Sequence, residues 1–372
     1  MALSLIVVYP IYATVYVTSM FRAFGAKVGK NTEISTANNV THPMFEIGEE
    51  SFIADAVTLG EADVRAQRLI LERTVIGSNS FVGNSALIPQ GYNLPDNTLI
   101  GVLSTPPTKQ QLENTEKSDW FGSPAIALPH RQQSYPYGRE LTHTPSPLRR
   151  LARATVELIR ILIPQTAIIC LSVIFIAYSH DLIIYHSWYR ILLTFPLYYL
   201  AIIGIPSFLI AMVMKWIFVG KYKEAQYPMW TWQVWRSEAV TSVFESLSKT
   251  FLLEYLKGTP WLPIAFRMMG TKVGNRVWLS TIDITEYDMV TIGDDTALND
   301  DSGPQTHLFE DRVMKVGKVK IGSRSSIGAR SIVLYDSEVG DDTRLNALSL
   351  VMKGENLTNG TNWEGSPVKP QS

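Results

Sequence analysis

Aliphatic residues recur at every sixth position in two separate stretches of the chain. The first reads Ile76, Val82, Ile88, Leu94 and Ile100, and the second Ile321, Ile327, Val333, Val339, Leu345 and Val351. A small residue stands four places after most of them: Ser80, Ala86, Thr98 and Ser104, then Ser325, Ser331, Ser337, Thr343 and Ser349. Glycine often follows the aliphatic directly, as at Gly77, Gly83, Gly101, Gly322, Gly328 and Gly340. Neither a helix nor a plain strand has this period. The hexad predicts a β-solenoid built from left-handed parallel β-helix, in which each short strand must stack on neighbours to bury its face. The aliphatic points into the prism, the small residue fits its corner, and glycine is expected to supply turn conformations.

The two stretches repeat each other. Phe21-Arg22, Lys27-Val28-Gly29, Ile47-Gly48 and Ile76-Gly77 recur 245 residues later as Phe266-Arg267, Lys272-Val273-Gly274, Ile292-Gly293 and Ile321-Gly322. Trp120-Phe121-Gly122-Ser123-Pro124 is echoed by Trp363-Glu364-Gly365-Ser366-Pro367. The chain is a duplication, and each Phe-Arg pair is expected to lie on a helix capping the open end of its prism.

Apolar runs separate the copies. Ala2 to Phe21 carries no charge, and Leu158–Tyr178 and Ile191–Val219 form a pair divided only by Ser179–Arg190. These lengths suit bilayer spans. The first run lacks the basic flank of a secretory signal and leads straight into a repeat domain. The expected organisation is an N-terminal membrane helix at 1–24, a first β-helix at 25–131 and a linker at 132–154. A transmembrane hairpin at 155–222, interfacial or capping helices at 223–269 and a second β-helix at 270–372 follow. Arg149, Arg150 and Arg153 precede the hairpin, and Lys215, Lys221 and Lys223 close it. The positive-inside rule then gives a multi-pass protein of the cytoplasmic membrane with both prisms facing the cytoplasm. The Trp-rich segment Trp230-Thr231-Trp232-Gln233-Val234-Trp235 suits a membrane interface. With that topology, the sequons at Asn39, Asn356 and Asn359 should be unused.

Composition narrows the chemistry. A net charge of −1 over 372 residues, without a basic stripe interleaved with aromatics, argues against a nucleic-acid partner. The single cysteine, Cys170, lies in an apolar run and suits a buried or lipid-facing position. The coils of each prism have only one histidine, so no metal site is expected.

The richest polar segment interrupts the second set of hexads, from Leu298 to Arg312. Loops on a rigid scaffold are where function concentrates. His307 is suited to accept a proton near neutrality. Asp301 and Glu310 are the candidate catalytic acids beside it, with Asp300 and Asp311 as alternatives for orienting the ring. Asn299, Gln305, Asp311, Arg312 and Lys315 are candidate substrate contacts, the two cations suiting a carboxylate or phosphate. The blander reading has His307 capping a loop and the acids pairing with Arg312. The first copy has Ala62 at the place of His307, and its own His42 aligns with Tyr287. It is expected to be catalytically silent, against an alternative in which His42 and Asp55 serve another site.

The hexads resemble those of the hexapeptide-repeat acyltransferases. That resemblance implies a histidine base, a thioester donor, and a Gly-x-Pro turn lying along the pantetheine arm. Gly122-Ser123-Pro124 and Gly365-Ser366-Pro367 match that turn. Ile34-Ser35-Thr36-Ala37, Phe81-Val82-Gly83-Asn84-Ser85-Ala86-Leu87, Asp283-Ile284-Thr285-Glu286 and Gln305-Thr306-His307-Leu308-Phe309-Glu310-Asp311-Arg312 are similar to the tandem-repeat, membrane-associated C-terminal region of the epsilon-poly-lysine synthetase type. These are non-ribosomal peptide synthetase-like proteins. The resemblance implies amide-bond formation from an aminoacyl thioester, with no bound cofactor and a phosphopantetheine thioester, on a carrier protein or CoA, as donor. The alternatives are an acetyl-CoA-dependent O- or N-acetyltransferase and a non-catalytic membrane scaffold for a separate synthetase. The chain departs from that pattern in having no adenylation or carrier segment, so a third hexapeptide-repeat domain or an upstream adenylation/carrier protein is the expected partner, besides the membrane.

Overall fold

In a computed structural model, the described residues are 11–35, 37–38, 40–113, 118–128, 137–310 and 312–371. They fall into two compact units. One holds the described part of Met1–Glu157 with Pro228–Trp230 and Phe309–Val313, and the other holds Leu158–Tyr227, Thr231–Leu308 and Met314–Ser372.

In the first unit, two- and three-residue strands stack into three sheets, parallel except for the closing strand Ile126–Ala127. Phe81 pairs with Leu99 and Val82 with Ile100, a register of three hexads per coil. Ile76, Val82, Ile88 and Ile100 are fully buried and Leu94 nearly so, which places every hexad aliphatic inside the prism. The small residues are buried too, and their hydroxyls tie one coil to the next. Ser80 Oγ donates to the Pro95 carbonyl at 3.0 Å, and Ser51 Oγ donates to that of Gly77 at 2.7 Å.

The second unit repeats this plan. Val319–Ile321 pairs in parallel with Ser337–Val339, and Ile332–Val333 with Leu350–Val351. Ser325, Ser331, Ser337 and Thr343 donate to the carbonyls of Gly340, Asn346, Met352 and Thr358, each 15 residues on.

The glycines work differently from the expectation. The corner residue with positive φ is the third after each aliphatic: Asn79, Ser85, Gly91, Asn97 and Leu103, then Arg324, Arg330, Asp336, Asp342 and Leu348. Gly77 and Gly322 are required instead by close stacking. A Cβ at Gly77 would lie 2.5 Å from Asp96 N, and one at Gly322 would lie 2.6 Å from Asp341 N.

Each prism is closed by a helix bearing its Phe-Arg pair. Tyr16–Ala23 buries Val17 and Phe21, and Arg22 donates to the carbonyls of Val28 and Gly29. Trp261–Met269 buries Leu262, Phe266 and Met269, and Arg267 donates to the carbonyls of Val273 and Gly274. The membrane helix expected at 1–24 is corrected over its described part. Tyr16–Ala23 has 8 residues, too few to cross a bilayer, and its apolar face is buried on the prism; residues 1–10 lie outside the described set.

Two helical segments, Arg139–Ile184 and Trp188–Val219, contain stretches long and apolar enough to cross a membrane. The long helix begins at Pro147, so the end of the expected linker is helical. Proline suits a first helical turn, where no intrahelical N–H is needed. The turn expected over 179–190 shrinks to residues around His186 and Ser187, because the helix continues to Tyr185. Of the Trp cluster, only Trp232 is exposed; Trp230 and Trp235 are buried in the protein.

Candidate active site

Each prism carries an excursion at the same coil. Glu46 pairs with Val75 in the first and Thr291 with Lys320 in the second, where an uninterrupted coil advances by 18 residues. In the first copy the excursion is an antiparallel hairpin, Asp63–Arg65 with Arg68–Ile70. In the second it comprises the strands His307–Glu310 and Val313–Val316.

His307 stands at the base of the second excursion, directly after the fully buried Thr306. Its Nδ1 lies 2.7 Å from Glu286 Oε2, with the imidazole 19% exposed and the carboxylate 1%. Glu286 caps the 3-10 turn Tyr287–Met289 in a left-handed conformation, φ 35°. Ile284 and Tyr287, on either side of it in the sequence, are buried. Thr306 Oγ1 donates to the same Oε2 at 2.6 Å, and Ser237 Oγ reaches Oε1 at 3.5 Å. Burial alone would raise the Glu286 carboxyl. The positive charge and hydrogen bond of His307, with the hydroxyls of Thr306 and Thr285, outweigh it and hold Glu286 below the ordinary carboxylate value. Nearby, burial and the Glu286 charge push the Tyr222 phenol up, so it stays neutral at Ser237. A carboxylate accepting the Nδ1 hydrogen leaves the Nε2 lone pair as the basic one. This is the arrangement of an oriented general base.

The carboxylate beside His307 is Glu286, and not the expected Asp301 or Glu310. Asp301 faces Lys257 Nζ at 3.6 Å. Glu310 is half-buried at the end of its strand, and Asp311 lies outside the described residues. Asn299 Nδ2 donates to the Ile327 carbonyl at 2.7 Å, so it serves the coil stack. Gln305 stays close to the histidine, donating from Nε2 to the His307 carbonyl at 3.4 Å. Arg312 was expected to hold a substrate anion. Instead it is buried in the other unit, where Nη2 donates to the carbonyls of Asn31 and Ser51. Lys315 is also buried.

In the first copy, His42 packs edge-on against Phe21, ring centroids 4.7 Å apart, and near Phe24 at 5.2 Å. Burial among these rings lowers its pKa. The place of Glu286 is taken by Thr41.

The Gly-Ser-Pro turns are alike in both copies. Gly122 N donates to Ser104 Oγ at 2.7 Å and Gly365 N to Ser349 Oγ at 3.1 Å. Gly122 and Gly365 have φ near 91° and 99°, and both Ser-Pro bonds are cis. The Gly122 and Gly365 carbonyls accept from Thr105 N and Leu350 N, leaving each turn pinned to its last coil. Among the described residues, no group of three or more His, Cys, Asp or Glu could hold a metal ion.

No family model matches the chain. Over 367 residues, 99% of its length, it is 45% identical to the Delta-poly-L-ornithine synthetase of Acinetobacter baumannii, and it spans 27% of that relative. Over 111 residues it is 25% identical to the putative colanic acid biosynthesis acetyltransferase WcaF of Escherichia coli, covering 23% of this chain and 61% of the relative. Among solved structures, a maltose O-acetyltransferase from Clostridium difficile matches at 14% identity and TM-score 0.25, over 45% of this chain and 86% of that one. The N-acyltransferase AntD from Bacillus cereus, in complex with coenzyme A, matches at 18% and 0.22, over 27% of this chain and 58% of that one. Both scores fall short of a shared overall structure. The extended sequence match identifies the chain, along almost its whole length, as a homologue of about a quarter of a synthetase of the poly-amino-acid type.

Proposed function

We propose that this chain is a membrane-anchored acyl or aminoacyl transferase that joins a thioester-bound amino acid to an amine by an amide bond. The observation that carries the reading is the buried Glu286 carboxylate 2.7 Å from His307 Nδ1. The 45% identity to a poly-ornithine synthetase segment supports the same chemistry. The acceptor amine attacks the thioester carbonyl, and a new C–N bond forms as its proton passes to His307 Nε2. Collapse of the tetrahedral intermediate breaks the C–S bond, and the imidazolium returns the proton to the departing thiolate. Glu286 keeps the ring in the productive tautomer and stabilises the imidazolium. Backbone N–H groups hold the developing oxyanion.

The donor is a phosphopantetheine thioester, on a carrier protein or CoA, laid along Gly365-Ser366-Pro367. The matching turn Gly122-Ser123-Pro124 belongs to a prism without the His307–Glu286 pair, which is read as structural. The apolar helices anchor the protein, and the half-buried Arg149 with exposed Arg150, Lys221 and Lys223 flank them on what is then the cytoplasmic side.

A second reading, acetyl transfer from acetyl-CoA to a sugar hydroxyl or amine, is favoured by the similarity to WcaF. The purified chain is offered aminoacyl-pantetheine carrier beside acetyl-CoA, with ornithine, lysine and simple sugars as acceptors, and the products are weighed by mass spectrometry. Amide product from the aminoacyl donor, lost in His307→Ala, is the expected result. Acetylated product alone establishes the second reading. No product from a folded protein refutes both for the chain by itself.

A further inference from the structure

The first unit contains a cavity of about 790 Å³, within the range of roughly 300–1,000 Å³ common for small-molecule sites. Its wall is cationic. Arg22, Lys30 and Arg150 line it, and Glu33 is the single carboxylate among its lining residues. Glu33 is already held by the buried Arg153, 3.3 Å away, and Arg153 is also bound by Glu157 at 2.7 Å. The lining side chains therefore carry an excess of two positive charges, with histidine neutral.

The two arginines are anchored and still have donors to offer. Arg22 uses Nε and Nη2 on the Val28 and Gly29 carbonyls, which leaves Nη1 of its guanidinium fork. Arg150 is positioned by Nη2 donating to Asn31 Oδ1 at 2.7 Å. Trp230 supplies an aromatic wall. It is 5% exposed, it stacks 4.4 Å from the Arg153 guanidinium carbon, and its indole N–H has no acceptor among the described residues. A buried donor without a partner costs about 1–3 kcal/mol, which an acceptor atom in the cavity would relieve.

The cavity also has a defined place along the helix Pro147–Tyr185. Arg150, Leu151 and Ala154 lie on its first turns, and its long apolar stretch begins at Leu158. At about 1.5 Å per residue, Arg150 lies roughly 12 Å before that stretch. On the reading that residues 158–184 enter a bilayer, this is the level of the head groups and the water beyond them.

We propose that this cavity binds a phosphate group, carried by an anionic lipid at the membrane surface or by a soluble phosphate ester. An excess of two charges matches the dianion of a phosphate monoester and exceeds the single charge of a phosphodiester head group. Two guanidinium forks and an ammonium suit its oxygens, and the hydroxyl of Ser19 adds a polar group to the wall.

The test uses the full chain in a neutral detergent and in zwitterionic nanodiscs. Inorganic pyrophosphate is the soluble probe, read by calorimetry, and phosphatidylglycerol is the lipid probe, read by native mass spectrometry. The variants are Lys30→Gln and Arg150→Gln, with Lys272→Gln, an exposed lysine on the other prism, as control. Both site variants alter exposed side chains, and their melting curves report whether the fold is kept. Saturable binding of either probe, at least tenfold weaker in both site variants and unchanged in Lys272→Gln, is expected. Pyrophosphate binding that lipid does not displace assigns a soluble ester; stoichiometric lipid lost in the variants, with no pyrophosphate binding, assigns the head group. No saturable binding of either probe at physiological ionic strength, or equal weakening in the control, overturns the proposal.

Discussion

Replacing Glu286 by Gln isolates the charge of the orienting carboxylate while keeping its shape. A glutamine can aim its carbonyl oxygen at His307 Nδ1 and Thr306 Oγ1, the two donors now 2.7 and 2.6 Å from Oε2. Its amide N–H groups then face Ser237 Oγ, which lies 3.5 Å from Oε1. Hydrogen bonds are conserved in number, so the fold should persist. What is lost is the charge-assisted part of the bond to the imidazole, the difference between about 1.5–3 kcal/mol with a charged partner and about 0.5–1.5 kcal/mol without, or about 1–1.5 kcal/mol. At about 1.36 kcal/mol per decade, kcat/KM should fall by roughly 5- to 13-fold. Taking away the negative charge of the carboxylate removes what favours the imidazolium, so the acid limb of the pH–rate profile should move to lower pH in the variant. The assay is amide formation from the aminoacyl-pantetheine donor across pH 5–9, with melting temperature recorded for each preparation. An unchanged kcat/KM and profile in a normally melting variant would refute the orienting role; a loss that tracks the folded fraction would reduce Glu286 to a structural group.

Four further outcomes follow from the same geometry. Because the folded-state pKa of Glu286 is depressed, its contribution to stability is complete above the ordinary carboxylate value of 4.5 and is lost as pH falls through the folded value; wild type should lose more stability than Glu286→Gln across that acidic window, as thermal melts will show. Arg153→Met strands the buried carboxylate of Glu157, whose Oε2 also accepts from Val15 N at 2.7 Å. Removing one partner of a buried pair costs about 3–5 kcal/mol, and Arg153→Met with Glu157→Gln should melt higher than Arg153→Met alone. Gly293→Ala sets a Cβ 2.5 Å from Ser323 N and 2.7 Å from Gly322 C, and overpacking of about 1–3 kcal/mol should appear as a lowered melting temperature. Ser349→Ala removes the acceptor of the Gly365 N–H at about 1–3 kcal/mol; if that turn holds the donor, donor KM rises while kcat stays, whereas Ser104→Ala in the first copy should leave both unchanged.

The hexads made the prisms legible because one requirement recurs at every corner. An aliphatic such as Ile327 or Val333 must be inside, and a hydroxyl such as Ser331 must reach the next coil. The end caps were readable for a related reason, since Phe21-Arg22 and Phe266-Arg267 repeat with their prisms. The glycine role was misjudged because sequence does not separate a residue needed for positive φ from one needed for backbone clearance. Gly77 and Gly322 belong to the second kind, while residues as ordinary as Leu103 and Arg324 turn the corners. His307 stood out by its type and its polar surroundings. Glu286 did not, because it lies 21 residues away in sequence, between the apolar residues Ile284 and Tyr287, and its first-copy counterpart is a threonine. Nearness in sequence favoured Asp301 and Glu310, and the coil stacking that brings Glu286 under His307 has no local signature. Arg312 misled in the opposite sense, since an arginine in a polar loop reads as a ligand contact until its carbonyl partners are known.

The two excursions leave the prisms at one coil, and in both the stack resumes in register, Glu46 with Val75 and Thr291 with Lys320. Folding and chemistry are thus assigned to different parts of the chain. The hexads are tied to each other by period and cannot drift singly, whereas the detour stands outside that period and is held, besides its two ends, by contacts of its own such as those of Arg312. After a duplication, one copy can lose or acquire a reactive group there without renegotiating its core. The present pair has that form, with a histidine on a buried acid in one detour and a plain hairpin in the other. Natural variation within such chains should therefore collect in the detours, and grafting one detour for another is a conservative way to give a prism new specificity.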